Sequence, residues 1–135
     1  MAAVRRHRAG EPPEALEDVL RMYVRGVIEN HRDHPHLLRV MIEQAPRSSE
    51  LLEKMSRHKR ELVSYTRELI EHHAEVRVDD PDVAALLVVS TVEHVIHELS
   101  SGPQPVDTTR FESELVAMLT RCLTAAPVAT TERPA

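Results

Sequence analysis

Asp79-Asp80-Pro81-Asp82-Val83-Ala84-Ala85-Leu86-Leu87-Val88-Val89, residues 79–89, is the stretch that decides the fold. Asp80 suits a helix N-cap, because its carboxylate can accept from backbone N–H groups that have no partner in the first turn. Pro81 suits the first helical position, where its missing N–H costs nothing. The residues after it are apolar on every side of a helix, from Val83 to Val89. A helix apolar all round must be covered on more than one side. A small bundle covers one such helix poorly, so the stretch predicts both an all-α fold and a partner surface.

Working outward, four more helices are expected, divided by proline and turn signals. The first runs from about Glu14 to His31, after Pro12-Pro13, with Leu16, Val19, Leu20, Tyr23, Val27 and Ile28 at helical spacing. Asp33-His34-Pro35 ends it. The second is short, about Pro35 to Gln44, with Leu37, Leu38, Met41 and Ile42 as its apolar side and Pro46 as its stop. The third spans about Ser48 to His73, capped by Ser48 or Ser49. Its stripe is Leu51, Leu52, Met55, His58, Leu62, Tyr65, Thr66 and Leu69, opposite a charged face. The fourth is the helix from Pro81, ending near Leu99, and a Ser-Gly-Pro loop follows it. The fifth runs from about Thr109 to Thr124, with Thr109 and Glu112 in capping-box spacing. The expected domain is residues 13–125, an all-α five-helix bundle. Residues 1–12 are expected to be an arm or the remnant of a linking helix, and 126–135 a disordered tail.

Composition agrees with helices. Only three glycines and 2% aromatic residues among 135 leave little material for sheet. The single cysteine, Cys122, cannot form an internal disulfide, so a cytoplasmic setting is expected. Residues 1–8 begin no apolar leader, and the run Val83 to Ser90 is too short to span a bilayer, so no membrane partner is expected. A net charge of −5 argues against a phosphate-neutralising surface, so specific nucleic-acid binding by this chain is not expected. The local run Arg5, Arg6, His7 and Arg8 is a solvated helix end on this reading.

No glycine-rich phosphate loop, nucleophile elbow or His-Glu-x-x-His pattern occurs, so the chain is not expected to be an enzyme or to need a cofactor. Nine histidines are the unusual feature. His31, His34 and His36 surround the first break, His72-His73 end the third helix, and His94 and His97 share a face of the fourth. Helix-end roles account for most of them. A rival reading, a small helical metal protein or enzyme, would use His31, His34, His94 and His97; no metal ligand set is expected otherwise. His58, inside an apolar stripe, has two readings: a core imidazole bonded to a neighbour, or a polar point in an apolar ligand cavity. Tyr65 follows two turns later. Met22, Met41, Met55 and Leu62 complete the candidate cavity lining with His58 and Tyr65, methionine being adaptable to varied shapes. Cys122 fits a buried, inert thiol.

Three segments carry a resemblance to a known family. His34-Pro35-His36-Leu37-Leu38-Arg39-Val40-Met41-Ile42-Glu43-Gln44-Ala45-Pro46 is similar to its short helix after the first long core helix. Asp80–Val89 continuing through Val92-Glu93-His94-Val95-Ile96-His97 is similar to its penultimate helix, and Phe111–Leu123 to its last. The chain resembles, over about residues 14–124, the C-terminal domain of the TetR (tetracycline-repressor) family of transcriptional regulators. That resemblance implies a homodimer built through the last two helices as a four-helix bundle. It also implies a pocket for a small effector whose binding releases operator DNA. The candidate walls make that effector largely apolar. Candidate dimer-interface residues are then Leu87, Thr91, His94, Leu115, Met118, Leu119 and Cys122. The family's N-terminal helix-turn-helix has no counterpart here. The expected role is therefore effector sensing and dimerisation without a DNA-binding domain of its own, or a truncated partner of a full-length regulator.

Overall fold

Leu16, Leu20, Val24 and Ile28 recur at four-residue intervals and are all buried, so a single stripe of the first helix faces the core. The structure is a computed structural model that describes residues 15–33, 40, 43, 48–103 and 106–126. Four helices are present among the described residues: α1 (Leu16–Asp33), α2 (Ser49–His72), α3 (Pro81–Ser101) and α4 (Thr108–Thr124). The all-α expectation is met, but the five-helix count is not supported. The short helix expected over Pro35–Gln44 falls almost wholly outside the described residues, as do the expected arm and most of the expected tail.

Each helix start has a local cause. Ser48 caps α2, its hydroxyl accepting from Leu51 N at 3.2 Å. Asp80 caps α3, its Oδ1 accepting from Asp82 N and Val83 N at 3.1 Å each, with Pro81 in the first turn. α4 departs from expectation. Its cap is Asp107, which accepts from Thr109 N at 3.0 Å and Arg110 N at 3.2 Å. The expected capping box of Thr109 and Glu112 does not form, because the helix begins at Thr108 and Thr109 already lies inside it.

Glu112 turns inward instead and is 8% exposed. A buried carboxylate needs partners, and α1 supplies them. Arg25 donates to it through Nε at 3.3 Å and Nη2 at 2.8 Å, and Arg21 Nη1 lies at 3.5 Å. These bonds pin the middle of α1 to the start of α4. The loop after α2 pins the other ends. Glu75 accepts from Leu16 N at 2.6 Å, and Arg77 N donates to Leu123 O at 2.8 Å. α1 and α4 therefore run antiparallel. α2 and α3 form a second antiparallel pair, joined at the surface by Arg67 donating to Asp82.

The core lies where α1 meets α3 and α4. Val24, Val89, Val92 and Val116 are completely buried, with Leu16 and Ile96 at 1% exposure. Burying a large aliphatic side chain contributes roughly 1.5–3 kcal/mol, so this cluster dominates the stability of the chain. By length and composition alone α3 is apolar enough to cross a membrane. Five of its residues, Ala85, Val88, Val89, Val92 and Ile96, sit in the core. Val83, Leu86 and Leu87 do not; they are 51%, 48% and 61% exposed.

Candidate functional site

A small apolar cavity of about 50 Å³ lies between the helices. α1 contributes Val19, Leu20, Met22 and Tyr23, and α2 contributes Tyr65, Thr66, Leu69 and Ile70. Val88 of α3 and Leu123 of α4 complete its lining. The α1 and α2 residues come from single faces, three or four positions apart, so helical periodicity alone assembles both walls. Among the described residues no formally charged side chain lines the space.

Two of the three hydroxyl-bearing side chains there, Thr66 and Tyr23, have opposite situations. Thr66 is satisfied, its hydroxyl donating to Leu62 O at 2.8 Å. The Tyr23 hydroxyl is buried and has no hydrogen-bond partner among the described residues. Burial raises its pKa well above the ordinary tyrosine value, because the phenolate would lose its solvation, and the charge of Glu93 raises it further. Tyr23 is therefore a neutral phenol, a donor without an acceptor. Leaving such a group unpaired costs on the order of 1–3 kcal/mol.

The expected lining residues divide. Met22 and Tyr65 line the cavity. Leu62 is buried in the core but does not line it, and Met55 is half-buried one to two turns earlier on α2. His58 is exposed, so it serves neither as a core imidazole nor as a cavity contact within this chain. The periodicity of the α2 stripe is sound, but a helical face is buried only where another element covers it. No residue from Ser49 to Glu61 is buried, and burial begins at Leu62. Met41 lies outside the described residues. Tyr23 was legible only as a member of the first apolar stripe; a phenol on an inward face that needs a partner was the available signal.

The expected interface residues divide as well. Leu87 is 61% and Met118 41% exposed, and His94 and Cys122 are exposed, while Thr91 is half-buried. Exposure also corrects the reading of Cys122 as a buried thiol. Leu115 and Leu119 are each 5% exposed and pack with α1 in the core of the same chain, so they do not present themselves to a partner. Of the four histidines of the metal reading, His31 and His97 come together, with ring centres 6.5 Å apart. His94 is exposed, and His34 lies outside the described residues.

The described residues thus form an all-α bundle with an apolar cavity between its helices and exposed apolar residues on the last two. The chain belongs to the tetracycline-repressor-like C-terminal domain family: the family described as "Tetracyclin repressor-like, C-terminal domain" matches residues 15–123. Domains of this family are regulatory, not enzymatic. No curated protein and no solved structure gives a significant match.

Proposed function

We propose that this chain is the effector-sensing and homodimerisation domain of a TetR-like transcriptional regulator, working in the cytoplasm. The observation that carries the sensing role is Tyr23, a buried phenol with no partner beside an apolar cavity. Native proteins satisfy nearly all such groups, and an orphan calls for an acceptor from outside the described residues. A small, neutral, largely apolar effector with one hydrogen-bond acceptor supplies it.

Size sets a condition. Pockets for drug-sized ligands run to roughly 300–1,000 Å³, several times the 50 Å³ present. The effector-free cavity must therefore open. Met22, 42% exposed at its edge, is the flexible side chain suited to swing away. Opening separates α1 from α2, and α1 is the helix held at its start by Glu75. Movement of α1 is thus the readout of binding. By itself the acidic chain does not read operator DNA, which a gel shift with this chain alone checks.

The sensing role is tested by a thermal-shift screen of neutral apolar compounds bearing one carbonyl or ether oxygen. A hit should raise the Tm of the unaltered chain, and Tyr23→Phe should weaken its binding about tenfold, as loss of one hydrogen bond of about 1.4 kcal/mol does. Equal binding to both proteins would remove Tyr23 from the site. The absence of any hit that competes for the cavity would remove the sensing role.

A further inference from the structure

At the end of the bundle remote from Glu75, α1 and α3 bring two imidazoles together. His31 lies in the last turn of α1 and His97 near the end of α3. Both are half-buried. Their ring centres are 6.5 Å apart and their planes inclined by 56°. His31 Nδ1 lies 2.9 Å from Val27 O. A carbonyl only accepts, so in the neutral ring the proton sits on Nδ1 and Nε2 keeps its lone pair. Metal-binding histidines characteristically hold their second ring nitrogen this way, donating it to a carbonyl or carboxylate.

That bond alone distinguishes nothing. His72 lies in the same way 2.7 Å from Glu68 O, on the exposed side of α2. Stabilising a helix end explains both bonds. It does not explain a second imidazole, from a different helix, beside His31. With a metal–nitrogen distance of about 2.1 Å and about 1.1 Å from nitrogen to ring centre, two rings on one ion stand about 6.4 Å apart when linear and about 5.2 Å apart at a tetrahedral angle. The observed 6.5 Å is close to the linear spacing and exceeds the tetrahedral one by about 1.3 Å, so the two rings must rotate toward each other to share a tetrahedral ion.

We propose that His31 and His97 form a binding site for a divalent ion that prefers imidazole, Zn²⁺ or Cu²⁺. No group of three or more histidine, cysteine or acidic side chains able to hold a metal occurs among the described residues. Among the described residues the ion therefore has two protein ligands, and water can fill its other positions. The site is weaker than a closed structural one and open to exchange. It bridges α1 and α3, the two helices that also carry Tyr23 and its neighbour Glu93. A bound ion thus restrains α1 at one end while the cavity lies along the same helix.

Calorimetric titration of the untagged full chain with Zn²⁺ tests the proposal. One ion per chain is expected, with a higher Tm in Zn²⁺ than in chelator. His31→Gln and His97→Gln should each weaken binding at least tenfold, while His72→Gln leaves it unchanged. Absence of binding overturns the proposal. So does unchanged binding in both bridge variants, or an equal loss in His72→Gln. Cu²⁺ broadening of imidazole resonances in the unaltered chain reads the same site without substitution. Broadening that spares His31 and His97 also overturns it.

Discussion

Tyr23 stands at the junction of stability and the proposed function, because its buried hydroxyl is a cost when the cavity is empty and, on the proposed sensing role, a contact when it is filled. Tyr23→Phe removes an unsatisfied buried donor and keeps the ring, so the effector-free chain should gain about 1 kcal/mol in urea unfolding. Its pH dependence has a definite sign. The phenol ionises near pH 10 when unfolded, whereas burial and Glu93 hold its folded pKa higher. Above about pH 10 the unfolded state therefore binds fewer protons, and stability falls as pH rises; below that it is fully retained. The loss from this one group reaches at most about 1.4 kcal/mol per pH unit. Urea midpoints between pH 9 and 11 should fall less steeply in Tyr23→Phe, and equal slopes would mean the phenol titrates as if in water. His58 marks the opposite case. It is exposed, so His58→Ala should change stability by less than about 0.5 kcal/mol, as surface substitutions do.

Within the helices, α1 contains one residue that works against it. Gly26 lies mid-helix, and a Cβ built there meets nothing within 4 Å. Glycine in a helix interior costs about 0.5–1 kcal/mol relative to alanine. Gly26→Ala should therefore raise stability by about that amount, and a loss measured by thermal melting would show that the space is needed. Helix boundaries were the most legible part of the sequence. Asp80-Pro81, Ser48 and the proline-rich breaks act through local hydrogen bonds and φ restraint, which need no tertiary partner. α2, expected over Ser48–His73, spans Ser49–His72, and α4 starts within one residue of expectation. What covers each face was not legible. The α2 stripe points one way along its length, yet only Leu62, Thr66 and Ile70 are buried. Glu112 has capping-box spacing from Thr109 in the sequence, but two arginines on a helix nearly 90 positions away determine its role. The cavity was half legible for the same reason: Met22 and Tyr65 fall on covered turns, whereas His58 does not.

Across the whole molecule, apolar surface remains that the chain does not cover, and it concentrates on the last two helices. α3 is apolar on nearly all sides; α1 and α2 cover one part, and Val83, Leu86 and Leu87 remain exposed. α4 buries Leu115, Val116, Leu119 and Leu123 and leaves Met118 exposed. Core and interface residues are equally apolar, which is why sequence alone grouped Leu115 and Leu119 with Leu87 and Met118. Burial separates them and dictates the experiment on the proposed dimer. A charge at Leu115 or Leu119 would enter the core of the protomer and unfold it, so loss of the dimer there would say nothing about an interface. Leu87→Glu and Met118→Glu place the charge on exposed positions. Each protomer should keep its helical circular dichroism, since little is buried at either site. If the last two helices form the interface, each carboxylate is desolvated only in the dimer, a penalty of several kcal/mol that appears twice across a two-fold axis. Sedimentation at micromolar concentration should then show dimer for the unaltered chain and folded monomer for the variants. A native chain that sediments as monomer, or variants that remain dimeric, would place the partner surface elsewhere or remove it.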